Sequence, residues 1–184
     1  MGFDSYGAPQ FGLNDVKVAT WNATNDYDTA VDVPSVQLMG TTLATVSAQL
    51  EGDDSIQATA ARAIGGEVTV RFGSISIAAL EVILGNTSTV SGAVQDHLKV
   101  SGGDAMPYIG ICGKALAEEG SGDTHVFIPK CKLTGDLTIA QLEYGQFAIP
   151  EATIQIVDDA TFGLINVIEH ATAADVAIPP TNIS

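Results

Sequence analysis

The sequence predicts a mainly β fold: a β-sandwich or small barrel with one short α-helix packed on it. Three observations carry this. Short runs alternate between apolar and polar residues, as in Val68, Val70 and Phe72 against Glu67, Thr69 and Arg71. Gly- and Asp-rich turns punctuate the chain at short intervals. Only one stretch, residues 76–84, reads as a helix. Alternation of period two is the mark of a half-buried strand, and several short strands divided by turn signals favour a sandwich or barrel.

From the N-terminus, residues 1–14 are rich in Gly, aromatics and Pro without a period, and are expected to form an arm. Residues 16–20 form a first strand, with Val16, Val18 and Thr20 alternating with Lys17 and Ala19. Residues 21–32 are turn-rich and read as a loop. Residues 34–38 start another strand, and 41–50 pair as a hairpin with 56–63 across the turn Glu51-Gly52-Asp53-Asp54-Ser55. Gly65-Gly66 is expected to be a bend where one strand leaves and the next, 67–72, begins.

Ser74 or Ser76 can cap the helix that follows, and Gly85-Asn86 can end it in a left-handed turn. The helix is apolar almost all round, with Glu81 alone interrupting Ile77, Ala78, Ala79, Leu80, Val82, Ile83 and Leu84. Such a helix needs cover on more than one face. Its own sheet supplies one cover; a second sheet or a neighbouring subunit supplies the other. Further strands are expected at 93–100, 107–116, 125–133, 137–143, 146–158 and 162–169, with an exposed polar connection at 117–123. Residues 171–184, with Pro179-Pro180, read as a tail that is flexible or ordered on contact. With 184 residues and no dividing linker, a single domain over 1–184 is expected.

Only 16% of residues are charged, against roughly 25% in average domains. Either the surface is unusually rich in neutral polar residues, or much of it is covered by copies of the same chain. The net charge of -15, from 22 acidic and 7 basic residues, argues against a grip on DNA or anionic membrane. It is compatible with a wall past which DNA slides, and equally with plain surface solvation. Lys130, Lys132, Arg62 and Arg71 do not make a binding groove. Cys112 and Cys131 read as small buried hydrophobes in a reducing compartment, with a cross-strand disulfide left open. No run reaches the length of a membrane span, and the N-terminus lacks the features of a secretory signal, so assembly in the cytoplasm is expected.

No catalytic constellation is apparent, and no enzyme, metal site or cofactor is expected. His97, His125 and His170 stand in no HxH or HExxH spacing, and Gly120-Ser121-Gly122 lacks the strand–turn–helix frame of a nucleophile elbow. Asp53-Asp54 and Asp158-Asp159 read as solvated turns rather than calcium ligands.

Two stretches, GGEVTVRFGSISIAALEVILGN and CKLTGDLTIAQLEYGQFAIPEATIQIVDD, resemble major tail tube proteins of long, non-contractile-tailed bacteriophages. The likeness extends over residues 41–169. It implies a virion structural protein whose subunits, usually six, form a ring with a continuous inner β-barrel. Rings would stack into a hollow tube around a tape-measure protein, between a tail tip and a tail terminator, and genomic DNA would pass down the lumen. It places Ile77, Leu80, Glu81 and Leu84 of the helix against a neighbouring subunit. It makes Thr42, Thr45, Ser47, Gln49, Gln57 and Thr59 candidates for the lumen-facing side of the hairpin, which on pattern alone reads equally as the solvated face of a sandwich, and Asn25, Asp26, Tyr27 and Asp28 a candidate contact to the next ring. The alternatives from the residues alone are another virion β-protein, such as a capsid decoration or tail-completion protein, and a carbohydrate-binding β-sandwich.

Overall fold

A computed structural model describes residues 10–22, 26–52, 55–91, 95–117, 122–139, 144 and 149–180. In chain order the elements are β1 (Gln10–Thr20), β2 (Val31–Asp32), β3 (Val36–Gly52), β4 (Ser55–Phe72), α1 (Ile77–Leu84), β5 (Thr89–Ser91), β6 (Gln95–His97), β7 (Ile109–Ala117), β8 (Asp123–Thr138), β9 (Glu151–Ile156) and β10 (Asn166–His170). The fold is mainly β with one short helix, as expected. One antiparallel sheet runs in the order β2-β1-β7-β8-β9-β4-β3, with β10 paired to β8; β5 and β6 form a separate small pair.

The sheet rolls up without closing. Its inner face carries Val16 and Val18 of β1, Ile109 and Ile111 of β7, Ile128, Cys131 and Leu133 of β8, Ala152, Ile154 and Ile156 of β9, and Val68, Val70 and Phe72 of β4, all buried in one core. Their registers agree: Val18 lies opposite Ile111, Ile111 opposite Ile128, Leu133 opposite Ile154, and Ile154 opposite Val68. The segment between β2 and β3 ties the two ends of the sheet together. Val33 N–H donates to Val16 O at 2.9 Å, and Ser35 O accepts from Gly73 N–H at 2.6 Å.

The helix α1 leaves the β4 end of the sheet and packs on β1 and β2 at the other end. Ser76 caps it through Oγ, which accepts from Ala79 N–H, and Gly85 ends it at φ 73°. Its inward side, Ala79, Leu80, Ile83 and Leu84, is buried in the core. Burial of the three large aliphatics contributes about 1.5–3 kcal/mol each. This corrects the expectation that Leu80 and Leu84 face a neighbour: the chain's own core takes them. Ile77, Ala78 and Glu81 remain on the outward side, while Val82 packs partly buried against the core. Glu81 is also engaged within the chain, since its carboxylate accepts from Ser88 N–H and is thereby held below the usual carboxylate range.

Gly65-Gly66 does not divide two strands. β4 continues through it, and the register slips there: Thr45 lies opposite Ala63 but Ala44 opposite Gly65, so Ile64 is one residue extra. This bulge inverts the alternation of β4. Gly66 lies directly beneath the backbone of β3, where a Cβ would overlap Thr42 O.

β8 changes neighbours at Pro129. Residues 123–127 pair with β10, while the ladder to β9 begins at Cys131. Proline has no N–H to give a ladder, so it suits the point where one edge partner ends and another begins. Pro129 O instead accepts from the Tyr27 hydroxyl at 2.8 Å. That bond anchors a second, smaller core on the outer face: Ala19, Tyr27, Cys112, Phe127 and Val176.

Several strands differ in extent from expectation. β1 starts at Gln10, within the expected arm. The strands expected at 93–100, 146–158 and 162–169 are confined to β6, β9 and β10. Residues 140–143 lie outside the described residues, as do residues 1–9 of the arm and 181–184 of the tail.

Cys112 and Cys131 are free and lie in the separate cores on opposite faces of the sheet. Burial pushes the Cys112 thiol up to about 12 and raises Cys131 as well. Both thiols should resist Ellman's reagent in the native protein and react together on denaturation; rapid native labelling of either would contradict this packing. Gly66→Ala should lower stability by about 1–3 kcal/mol in urea unfolding, the usual cost of overpacking. Gly40→Ala on β3, where a Cβ meets nothing, is the control and should stay within about 0.5 kcal/mol.

Candidate functional site

The ladder from β9 to β4 ends at Gly66. Beyond it, β3 and β4 pair only with each other among the described residues, out to the rung Gly52–Ser55. Every described residue over 42–51 and 55–64 is exposed. This is a free two-stranded ribbon, about 25–30 Å long at the rise of an extended strand.

Paired residues share a face, and faces alternate along each strand. Val46 with Arg62, Ala48 with Ala60, and Leu50 with Ala58 therefore line one face. Thr45 with Ala63, Ser47 with Ala61, and Gln49 with Thr59 line the other. The second face continues the inner surface of the sheet, because Met39, Thr41 and Leu43 of β3 share its parity. The bulge at Ile64 is what allows this. Without it, Ala58, Ala60 and Arg62 would fall on the same side as Val68 and Val70. Large apolar side chains stand in the open along the ribbon: Val46 is 53% exposed, Leu50 64%, Ile56 58% and Ile64 67%.

Thr45, Ser47, Gln49 and Thr59 thus share one small, polar face. Thr42 lies on the opposite face, across from Glu67, whose carbonyl it reaches at 3.4 Å. Even numbering in an unbulged stretch of β3 sets it apart from the odd residues. Gln57 sits at a second register slip near the tip, and its amide donates to Ser55 Oγ at 3.1 Å.

In the loop before β2, Asn25 lies outside the described residues. Asp26 and Asp28 are exposed. Tyr27 is not: it is buried, edge-on to Phe127, with its hydroxyl raised well above the ordinary phenol range by burial and by Asp159. Its expected contact to another ring is therefore corrected to a contact with the chain's own outer core. Nearby, Trp21 Nε1–H donates to Asp159 Oδ2 at 3.0 Å. The Lys130 ammonium lies 3.8 Å from the centre of the Trp21 ring. Arg71 binds Glu151 at 2.9 Å. Lys130 and Arg71 are thus engaged within the chain.

The outer face of β1, β7 and β8 is crossed by residues 171–180, so this part of the expected tail is laid down as a strap. Lys17 Nζ donates to Val176 O at 3.1 Å and Lys114 Nζ to Ala174 O at 2.8 Å. Ala174 N–H donates to Asp123 Oδ2 at 2.8 Å. Val176 is buried in the outer core.

Beneath the strap lies a group that the spacing of the histidines does not reveal. Asp123 and His125 alternate onto one face of β8, and β10 places His170 directly opposite Asp123 on that face. Lys114 of β7 lies opposite His125. Asp123 and His125 are buried and His170 is partly buried. Asp123 Oδ1 and His125 Nε2 are 3.4 Å apart, Lys114 Nζ is 3.9 Å from Asp123 Oδ2, and the two imidazole centres are 4.4 Å apart. Burial lowers the His125 imidazole below its ordinary value, against the pull of Asp123.

Lys114→Met would leave Ala174 O without its donor and Asp123 without its cation. Stability should fall by about 2–4 kcal/mol, and elastase should cut within residues 171–178 far faster than in the parent chain. Unchanged resistance would contradict the clamp.

No protein-family model matches the chain, and no characterised protein matches it in sequence.

Proposed function

We propose that the chain is a non-catalytic structural subunit that assembles with copies of itself, most specifically as a phage tail tube protein. The free β3–β4 ribbon is the single observation that carries this reading. A lone two-stranded hairpin is marginally stable in water, and long, flat, apolar edges invite pairing. Natural edges are blunted by charge, proline or bulges. Here the bulges stand only at the two ends of the ribbon, at Ile64 and Gln57, the charged residues over 42–64 are Glu51, Asp53, Asp54 and Arg62, and there is no proline. Ribbons from successive subunits, paired edge to edge in a ring, would satisfy both edges and remove the hazard by closure.

The two faces divide the work on this reading. Thr45, Ser47, Gln49 and Thr59, continuous with the inner surface of the sheet, would line the bore. These four are small, polar and uncharged, and with Leu43 and Glu51 of the same parity on β3 the face presents DNA with no cation to bind. Val46, Ala48 and Leu50 would pack outward against the body of a neighbour. The outward side of α1, with Ile77 and Ala78, supplies a further small apolar patch. The resemblance of residues 41–169 to tail tube proteins supplies the tape-measure protein, tail tip and tail terminator as partners, and the virion tail as the location.

Negative-stain electron microscopy over a concentration series tests this. Rings or hollow tubes should form with the parent chain. Leu50→Asp should remain monomeric with an unchanged melting temperature, because Leu50 is exposed and outside the core. Small particles of one size at every concentration, or tubes formed equally well by Leu50→Asp, would overturn the reading.

A further inference from the structure

We propose that Asp123, His125 and His170 form a binding site for one divalent transition-metal ion of the zinc class. The site is independent of the tube reading and of the ribbon. Three observations converge on it. One donor atom from each residue lies within 4.8 Å of the other two. Asp123 Oδ1, His125 Nε2 and His170 Nε2 are all buried and have no hydrogen-bond partner. Two imidazoles and a carboxylate are a donor set that zinc and its neighbours accept.

The distances suit the ion. Ligand bonds of about 2.0–2.1 Å in a tetrahedron place donor atoms about 3.3–3.4 Å apart. Asp123 Oδ1 and His125 Nε2 already stand at 3.4 Å. His170 is the last residue of β10 and only partly buried, so it has the freedom to close the remaining gap. The carboxylate is oriented for this use: Oδ2 is held by Ala174 N–H at 2.8 Å, which leaves Oδ1 for the ion. Support of this kind behind a ligand is characteristic of metal sites. Lys114 is the adverse charge, and Ala174 O holds its ammonium at 2.8 Å on the Oδ2 side.

Orphaned buried polar atoms are costly to leave unpaired, and a single cation would satisfy all three. Three protein ligands leave a fourth position for water. The ion would act as a staple, joining the end of β10 to β8 and, through Asp123, to the strap. A bridging water is the competing occupant, and it would give no metal binding.

The test uses the full chain stripped with EDTA and titrated with Co2+ and Zn2+. One equivalent should bind, with the visible absorption bands of tetrahedral Co2+. Zn2+ at a hundredfold excess over its Kd should raise the melting temperature by roughly 5–10 °C and slow elastase cleavage of residues 171–178. His170→Asn is the variant of choice because the side chain is partly exposed. It should weaken binding by about a hundredfold or more, while the metal-free melting temperature stays close to that of the parent. Absence of binding in the parent, or equal affinity in His170→Asn, would overturn the proposal.

Discussion

The rest of the structure depends on how the backbone hydrogen bonds of β3 and β4 are satisfied. Near the body, β4 has neighbours on both sides, β9 and β3, and its Val68, Val70 and Phe72 lie in the core. Past Gly66 it has one. Among the described residues the outer edges of the ribbon have no strand partner, and every described residue on both of its faces is exposed. The bulge at Ile64 keeps this ribbon in continuity with the body. It carries the small polar residues of the distal half onto the inner surface and turns Val46, Ala48 and Leu50 outward.

The body, by contrast, completes itself. The open side of the rolled sheet is spanned by α1, whose Leu80, Ile83 and Leu84 fill the core. The outer face is covered by Tyr27, Phe162 and the strap. Two lysines and a buried aspartate hold the strap by its backbone, an arrangement that spares it the need for strand pairing. The most continuous run of exposed large apolar residues is on β3 and β4, with Leu43, Val46, Leu50, Ile56 and Ile64; others, such as Val100, Ile139 and Val167, stand singly on the body.

Local features of the fold were legible in the sequence. The alternation over 67–72, the Ser76 cap and the Gly85 terminator each depend on residues within a turn or two of one another. The hairpin was legible for the same reason. The continuity of β4 through Gly65-Gly66 was not, because a glycine pair reads equally as a break or as a place where another backbone comes close. The burial of Leu80 and Leu84 was not, since a helix apolar all round does not say which side its own sheet takes. Tyr27 sits in a stretch with the composition of a loop, and only Pro129 O and Phe127, far along the chain, account for its burial. The Asp123–His125–His170 group follows the same pattern. Its first two members alternate within one strand, but the third arrives by the pairing of β10 to β8, a long-range register that spacing rules do not contain.

Hydrogen–deuterium exchange over residues 44–63, compared between the dilute chain and the assembled particle, tests the central claim most directly. The account predicts fast exchange on the outer edges of β3 and β4 in the dilute chain and strong protection of the same amides on assembly. Slow exchange in the dilute chain, or no gain in protection on assembly, would contradict the claim that this ribbon is the part of the fold awaiting another copy.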